Sequence, residues 1–434
     1  MSDRSKPRVH WVSPLPPAET DIAHYTQRIL PDLSARTDLI LWTDAERWDR
    51  NLEQYCEVRR LDPDTITPKD FASAGTIKNA ADPIFIHIGN SWVFHSGLLR
   101  LARRIPSIIV LHDLAIQELC YEAILNGLFD KEAYLQDMEL WHGDRGRDLA
   151  AQLFDGKVRA LDVASLAPGF ELTLKNAIAV LAHTPAAFEA VRSKATTPAY
   201  LLDLPFQPHK RAPSPRRHTT GPLKFVQFGY IGPNRRLEQV LEALAPLRDE
   251  IPFEFDIMGN VWNPTHINDR IHALGLEECV KIRGFVEERQ LDAALASAHL
   301  VFNLRYPTMG EASGSQLRIW NASAAAVVSD LGWYGSLPTE TVFKISLDDE
   351  RNNLQALVRR LAENREISHA IGAAGRTHLE QYHTPARYAE AIAYVASNFS
   401  KDARQALLGQ AAHNALQHSV ASQELLRNVL AEID

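Results

Sequence analysis

Small and polar residues are concentrated in one stretch of the second half of the chain, from Arg305 to Arg318. The stretch follows an apolar run and precedes a predicted helix, so its backbone N–H groups would lie at a helix N-terminus. Such groups and the helix dipole favour an anion such as a phosphate. A carboxylate in the same turn can accept hydrogen bonds from hydroxyl groups. The candidate residues are Gly310, Glu311, Ser313, Gly314 and Ser315. The alternative is a simple N-capping turn, with Ser313 or Ser315 as the cap.

A second predicted strand-to-helix loop, from Phe228 to Arg236, contains the adjacent Arg235 and Arg236. Positive charge is unfavourable where a helix begins, because the helix dipole is positive there. An anionic ligand would relieve that conflict, and arginine offers forked donors to phosphate oxygens. Two solvated surface arginines are the alternative.

The first half of the chain contributes His112, which follows an apolar run. In open α/β sheets ligands bind beyond the carboxyl ends of the strands, so this histidine is a candidate for ligand contact. A buried core histidine is the alternative. The string Asp62-Pro63-Asp64 has the letters of a metal-binding DxD sequence but lies in a polar stretch typical of a turn. No metal site is predicted.

The elements that would position these residues follow an α/β pattern. Short apolar runs rich in branched residues are typical of buried parallel strands, and amphipathic helical stretches separate them. Five strands are predicted in the first domain, at Val9–Val12, Leu39–Trp42, Ile84–Ile88, Ile108–Leu111 and Ala177–Ala182, with helices such as Ile22–Leu33 and Ser96–Arg104. Six are predicted in the second, at Phe225–Phe228, Phe253–Met258, Val280–Ile282, Leu300–Leu304, Ala325–Ser329 and Val342–Ile345.

The predicted architecture is therefore α/β, with two Rossmann-like doubly wound domains facing a cleft. Residues 1–207 form the first domain, with a charged helical insertion at about 116–174, and residues 223–395 form the second. A basic, proline-rich linker at 208–222 joins them, and residues 396–434 form a C-terminal helical extension. The insertion and the linker are candidates for acceptor or membrane contact, although a structural role is the simpler interpretation of each.

Composition excludes several function classes. The 434 residues carry a net charge of -8, which argues against non-specific binding to a nucleic acid duplex. The N-terminus lacks the apolar core of a signal peptide, and no run of about 18 apolar residues predicts a transmembrane helix. The cysteines are far apart and form no disulfide framework, which favours a reducing compartment. These are Cys56, Cys120 and Cys279. A cytoplasmic enzyme or binding protein is expected.

Several strings, in their order and spacing, resemble the retaining family-4 glycosyltransferases of GT-B architecture, over roughly Arg8 to Tyr394. In the first domain these are Pro14 to Ala23, Ile88 to Ser91, Val110 to Leu114 and Ala182 to Thr184. In the second they are Gly229 to Arg236, Ile282 to Val286 and Val327 to Asp330. The resemblance implies metal-independent transfer of a sugar from a nucleotide sugar to a glycan or lipid-linked acceptor, with retention of configuration. It also implies a role in bacterial surface polysaccharide synthesis, possible contact with the inner face of the membrane, and no cofactor.

The resemblance also implies roles for individual residues. Glu311, His112 and Asp113 would form the catalytic set. Asp21 and Asn90 would lie on the acceptor side. The donor would contact Gly229, Tyr230, Arg235, Arg236, Gly310, Ser313, Gly314, Ser315 and Arg318.

Four positions depart from the family pattern. Glu311 lies one residue from the position of the family's first glutamate in an ungapped alignment. Arg318 stands where the family has a glutamate that holds the ribose hydroxyls, so UDP-, GDP- and dTDP-linked donors all stay open, and a deoxyribose donor becomes attractive. Asp21 replaces a glycine, and Tyr230 replaces an arginine of many relatives. These departures sustain two alternatives: a catalytically silent GT-B subunit that supports a partner enzyme, and a sugar-nucleotide epimerase.

Overall fold

The computed structural model describes residues 6–72, 82–194, 197–208 and 220–417, which form two compact units. Unit 1 comprises Met1–Asp203, Met309–Glu311 and Pro385–Asp434, and unit 2 comprises Leu204–Thr308 and Ala312–Thr384. Most of the predicted linker at 208–222 lies outside the described residues. No helix in the described ranges is long and apolar enough to cross a membrane.

Unit 1 contains a parallel sheet of seven strands in the order β3-β2-β1-β4-β5-β6-β7. Its strands are β1 (Arg8–Val12), β2 (Asp38–Thr43), β3 (Glu57–Arg60), β4 (Ile84–Ile88), β5 (Ser107–Leu111), β6 (Ala177–Ala182) and β7 (Ala199–Leu201). Its helices are α1 (Asp21–Arg36), α2 (Trp92–Ala102), α3 (Gln117–Leu125), α4 (Lys131–Phe154), α5 (Ala160–Leu166) and α6 (Pro185–Lys194). The five predicted strands are all present, and α3 to α5 confirm that the inserted region is helical.

The prediction of only five strands is wrong, because β3 and β7 extend the sheet at its two edges. The sequence of β3 is Glu-Val-Arg-Arg, in which charged residues outnumber apolar ones, and β7 has only three residues. An edge strand is covered on fewer sides than a central one, so it lacks the continuous apolar run that identified the others.

Unit 2 contains a parallel sheet of six strands, the number predicted, in the order β10-β9-β8-β11-β12-β13. Its strands are β8 (Leu223–Ile231), β9 (Phe253–Val261), β10 (Val280–Gly284), β11 (Leu300–Phe302), β12 (Ala326–Ser329) and β13 (Phe343–Ile345). Its helices are α7 (Leu237–Leu244), α8 (Pro264–Ala273), α9 (Glu288–Ser297), α10 (Gly314–Asn321), α11 (Gly332–Ser336), α12 (Glu350–Glu363) and α13 (Glu366–Tyr382). The apolar residues of α7 recur at helical spacing and are buried, because they form one face against the sheet.

The expected loop from Phe228 begins later than the sequence indicated. β8 continues to Ile231, and Gly229 and Tyr230 pair with Gly259 and Asn260 of β9. The two strands therefore extend together past the rest of the sheet, and the loop to α7 is shortened to a few residues.

The last helix, α14 (Pro385–Gln417), groups with unit 1 although it follows unit 2 in the chain. Tyr25 of α1 donates a hydrogen bond to Tyr388 of α14 through their hydroxyl groups, at 2.5 Å. Tyr200 of β7 donates another to Asp402 at 2.7 Å. These contacts attach α14 to the sheet of unit 1.

Candidate active site

In unit 1 the strand register places a row of rings at the carboxyl edge of the sheet. Trp11 of β1 pairs with Phe85, two residues before His87 on β4. His87 pairs with Val110, two residues before His112, and Leu111 pairs with Ala182, one residue before His183. Side chains two residues apart on a strand share a face, so adjacent strands bring these rings together.

The rings are in direct contact. Ring centroids of Trp11 and His87 are 4.4 Å apart, those of His87 and His112 5.2 Å, and those of His112 and His183 5.1 Å. Tyr25 of α1 packs edge-on against His112, with a centroid distance of 5.1 Å. Nδ1 of His87 and Nε2 of His112 are 2.9 Å apart, which is a hydrogen bond. His112 is partly exposed, whereas His87 is fully buried.

Burial and mutual proximity keep these histidines neutral at neutral pH. Burial, with His183 and His95 nearby, lowers the pKa of His87 well below its usual value. Burial among the same rings, then His183, His87 and His95, lowers the pKa of His112 in the same way. Burial lowers the pKa of His95 to about 4, against the opposing hydrogen bond to the carbonyl of His87.

Asp113 and Asn90 connect the loops that follow β4 and β5. Oδ2 of Asp113 accepts a hydrogen bond from the backbone N–H of Asn90 at 2.8 Å. Oδ1 of Asn90 accepts one from the N–H of Leu119 at 3.1 Å, near the start of α3. These contacts order the two loops beside His112. Asp21 is exposed at the first position of α1, after the N-cap Thr20.

The segment Met309–Glu311 groups with unit 1 and packs against the loop after β5. The carbonyl of Met309 accepts a hydrogen bond from Ala115 N at 2.9 Å, and that of Gly310 accepts one from Thr184 Oγ1 at 3.1 Å. Gly310 has φ 75°, and a Cβ there would lie 2.5 Å from Cβ of Leu114. Glycine is therefore required, since both the backbone conformation and the close approach exclude a side chain.

Glu311 holds the same turn from its side chain. Its Oε2 accepts a hydrogen bond from the backbone N–H of Met309 at 2.7 Å. Gly310 and Glu311 thus lie in a turn that packs against Leu114 and Ala115, in the loop that follows His112 and Asp113.

In unit 2 the two loops predicted from sequence flank the point where the strand order reverses. The order β9-β8-β11-β12 places the switch point between β8 and β11, and ligands of doubly wound sheets bind at such points. The two loops also touch, because the N–H of Tyr306 donates to the carbonyl of Asn234 at 2.8 Å. Gly229 and Tyr230 lie at the end of β8, and the Tyr230 side chain is 70% exposed.

The two neighbouring arginines have different environments. Arg235 is buried, and its Nη2 donates to the carbonyl of Phe228 at 3.1 Å, so its guanidinium braces the end of β8. Arg236 lies over the ring of Tyr306, 5.7 Å from its centroid, and forms an ion pair with Glu350, the first residue of α12. Arg236 is the N-cap of α7 and has a left-handed backbone with φ 60°. Binding of phosphate by either arginine stays a prediction.

The start of α10 is an N-capping turn, as the simpler sequence interpretation proposed. Ser313 is buried, and its Oγ accepts a hydrogen bond from the N–H of Gln316 at 3.1 Å. Gly314 and Ser315 are the first two residues of α10 and are partly exposed. Among the described residues, no side chain beyond the two chain neighbours of Gly314 lies within 4 Å of the position that its Cβ would take. The cap and an anion site at this N-terminus are compatible, because one hydroxyl occupies one N–H and leaves others available.

Arg318 is directed toward α9 rather than toward the switch-point loops. Its guanidinium forms ion pairs with Glu288 and with Asp292, the latter at 2.8 Å, and its side chain is 16% exposed. Two carboxylates therefore neutralise this arginine. No group of three or more potential metal ligands is present within residues 6–72, 82–194, 197–208 and 220–417.

Comparison with known proteins agrees with this architecture. Residues 235–393 match the Glycosyl transferase-like family. The structure is similar to that of Anabaena HepE in complex with UDP, at 15% sequence identity and a TM-score of 0.56, over 90% of this chain and 100% of that one. The chain has the GT-B fold.

Two further GT-B structures are similar at comparable levels. Sucrose-phosphate synthase from Thermosynechococcus elongatus is 13% identical with a TM-score of 0.55, over 91% of this chain and 98% of that one. WaaG, a glycosyltransferase involved in lipopolysaccharide biosynthesis, is 13% identical with a TM-score of 0.51, over 88% and 99% respectively. No curated protein sequence matches the chain. The chain resembles the group 1 glycosyltransferases of GT-B architecture.

Sequence reasoning missed several residues that organise these loops. His87 and Tyr25 contact His112, Tyr388 contacts Tyr25, and Glu350 binds Arg236. A signal existed for His87, which is a polar residue inside the otherwise apolar strand Ile84–Ile88. No local signal identifies Tyr388 or Glu350, because their partners are more than one hundred residues away in the chain.

Proposed function

We propose that the protein is a glycosyltransferase that moves a sugar from a nucleotide sugar to a glycan or lipid-linked glycan acceptor. The observation that carries the proposal is the family match over residues 235–393, because that segment contains Arg235, Arg236 and the loop of Gly310 to Ser315. The GT-B fold supports it, as do the UDP-bound structures of HepE.

Unit 2 would bind the donor at its switch point. When the glycosidic C–O bond breaks, negative charge accumulates on the departing diphosphate, and preorganised N–H groups and cations stabilise it. The partly exposed N-terminus of α10 and the guanidinium of Arg236 would supply that stabilisation. We propose that such a site acts without a metal or a cofactor. The proposed donor sugar is a hexose.

Unit 1 would supply Glu311 and His112 as ligand contacts. Glu311 would accept hydrogen bonds from donor sugar hydroxyls, and His112 would bind a sugar or leaving-group oxygen. Asp113 and Asn90 would order their loops, and Asp21 would meet acceptor hydroxyls. We propose retention of configuration, with attack from the leaving-group face and transfer of the acceptor proton to the departing phosphate. An inverted anomer in the product's NMR spectrum would exclude this stereochemistry.

The proposed setting is synthesis of a bacterial surface polysaccharide in the cytoplasm, at the inner face of the membrane. The structural similarity to WaaG, which acts in lipopolysaccharide biosynthesis, supports this setting. HepE has been crystallised with UDP-glucose, so UDP-sugars are the first donors to test. Since Arg318 stands where the family has a ribose-binding glutamate, dTDP- and GDP-linked forms of the same sugar belong in the same screen.

The deciding experiment measures donor hydrolysis and sugar transfer by the purified full chain. We expect turnover with one nucleotide series, and a loss of at least one hundredfold in kcat/KM in Glu311→Gln, since a neutral amide is a weaker acceptor for hydroxyl groups. The amide oxygen can still accept from Met309 N, which preserves the turn. Glu340→Gln, at an exposed carboxylate of unit 2, is the matched control and should retain full activity. Equal loss in both variants would contradict the role of Glu311.

A specific observation also favours a second candidate, a catalytically silent GT-B subunit that binds a sugar nucleotide or glycan for a partner enzyme. Arg235, Arg236 and Arg318 are each engaged within the protein, by a carbonyl or by carboxylates. Thermal stabilisation by a nucleotide sugar, without hydrolysis or transfer to any acceptor tested, would support this candidate.

A further inference from the structure

The pair His87–His112 joins a fully buried ring to a partly exposed one. His112 continues β5, because its backbone N–H donates to the carbonyl of Ile88 at 2.9 Å. This register holds the two imidazoles on one face of adjacent strands, with Nδ1 of His87 and Nε2 of His112 at 2.9 Å. Since both rings are neutral at neutral pH, one nitrogen of the pair carries the shared proton and the other accepts it.

The surroundings of the second His87 nitrogen decide the direction of that bond. Nε2 of His87 is buried and has no hydrogen-bond partner within the described part of the chain. If His112 donated through Nε2–H, the proton of His87 would lie on this buried Nε2, as an N–H without an acceptor. Buried backbone N–H groups without an acceptor are rarer in proteins than under-satisfied backbone carbonyls, and we apply the same rule to the two ring nitrogens. His87 therefore carries its proton on Nδ1 and donates to Nε2 of His112.

The neighbouring histidines cannot alter this assignment by supplying a proton. Nδ1 of His95 lies 3.1 Å from the carbonyl of His87, and Nδ1 of His183 lies 2.9 Å from the carbonyl of Leu202. A carbonyl only accepts, so both rings carry their proton on Nδ1 and use it to bind backbone. The pair also packs against the ring of Tyr25, whose hydroxyl donates to Tyr388, and against the indole of Trp11.

We propose that His87 is a positioning residue that fixes His112 as the Nδ1–H tautomer. His112 then accepts from His87 through Nε2 and presents Nδ1–H as a hydrogen-bond donor, which solvent or a ligand can satisfy because this ring is partly exposed. The ligand group it selects is an acceptor oxygen, from a sugar or a phosphate. The identity of that ligand rests on the proposed function, whereas the tautomer does not.

The tautomer is measured in the free full-length protein by ¹⁵N NMR of labelled histidine at pH 7, with the His112 signals identified by their loss in His112→Gln. We expect a pyrrole-like Nδ1 and a pyridine-like Nε2 for His112. The reverse assignment would overturn the proposal. In His87→Phe, which keeps a ring but removes the donor, we expect a mixture containing the Nε2–H form. In His87→Asn, whose amide can donate from a similar position, we expect the Nδ1–H form to return.

Activity provides the second readout, once a donor is known. We expect His87→Phe to lower kcat/KM about tenfold or more and His87→Asn to recover most of it, without a new inflection between pH 6 and 8. His95→Phe is the matched control, because His95 is equally buried but makes no hydrogen bond to His112. An unchanged Nδ1–H signal in a folded His87→Phe variant would contradict the positioning role. Absence of turnover in the wild type would refute the proposed function and leave the NMR test intact.

Discussion

Arg235 and Arg236 are adjacent in sequence but have different partners. Arg235 is buried and donates to a carbonyl of β8, whereas Arg236 forms an ion pair with Glu350, more than one hundred residues away in the chain. Arg236 donates to both oxygens of Glu350, whose side chain is 5% exposed. The arginine keeps this buried carboxylate compensated while its own backbone occupies the left-handed region. Arg236 therefore supplies a charge at a position whose backbone conformation favours glycine.

Two substitutions at Arg236 separate these two effects. Arg236→Ala should lower the free energy of unfolding by about 3 kcal/mol, because it leaves the Glu350 carboxylate buried without its partner. Arg236→Gly loses the same ion pair but relieves the left-handed backbone, so it should be more stable than the alanine variant by about 1 kcal/mol. Urea unfolding measures both values. Equal stability of the two variants would show that the positive φ carries no cost.

Residue types and their spacing predicted two loops that follow strands of unit 2, but not which of their side chains are already engaged within the protein. The loops around Arg235 and Ser313 lie beside the switch point of unit 2, because they follow β8 and β11, between which the strand order reverses. The burial of Arg235 and the pairing of Arg318 with Glu288 depend on tertiary packing that no local pattern records. Helix-dipole reasoning suggested an external anion for Arg236, and Glu350 supplies an internal one.

At the scale of elements, α10 combines a structural cap with a potential anion site. Ser313→Ala removes the cap and should lower the free energy of unfolding by about 1 kcal/mol. Ser313→Asp retains a capping oxygen and should retain stability, but its negative charge should weaken nucleotide binding about tenfold or more by repulsion of the diphosphate. Urea unfolding and calorimetric titration with the donor measure the two effects.

The control for these two variants is Ser315→Ala, which removes a hydroxyl two residues after the N-cap and leaves the capping side chain in place. It should leave the free energy of unfolding within about 0.5 kcal/mol of the wild type. If Ser313→Asp binds nucleotide as tightly as the wild type, the N-terminus of α10 is not the diphosphate site.

Most of the strands were predictable because buried strands appear in the sequence as apolar runs, whereas β3, β7 and the last residues of β8 lack such a run.

At the scale of the whole molecule, the row of buried and partly buried histidines couples the candidate site to stability. His87 lies on β4, His95 on α2 and His112 in the loop between β5 and α3. The stability of this part of unit 1 therefore depends on the three rings being neutral. The sequence showed that histidines occur in this region, but only the parallel register and the attachment of α14 explain why they meet.

This arrangement predicts that unit 1 loses stability in mild acid. Folding lowers the pKa of His87, His95 and His112, so below about pH 6.5 the unfolded chain binds protons that the folded chain does not. The free energy of unfolding should therefore fall from pH 7 to pH 5, by up to about 1.4 kcal/mol per pH unit for each histidine. For His95 the loss should continue to its folded pKa of about 4.

His95→Phe isolates one of these protons. The variant should show a shallower fall in the free energy of unfolding between pH 7 and pH 5, whatever its absolute stability, because one proton-binding group has been removed from the unfolded chain. The exposed His24→Asn should keep the slope of the wild type. Most carboxylates titrate below this range. Burial raises the pKa of Asp44, Glu118 and Asp402, which opposes the fall, but these groups are the same in both proteins, so the difference in slope reports His95. A slope unchanged in His95→Phe would contradict the lowered pKa of His95. Stability that rises toward pH 5 would contradict the neutrality of the buried rings, on which the hydrogen-bond direction assigned to His87 and His112 depends.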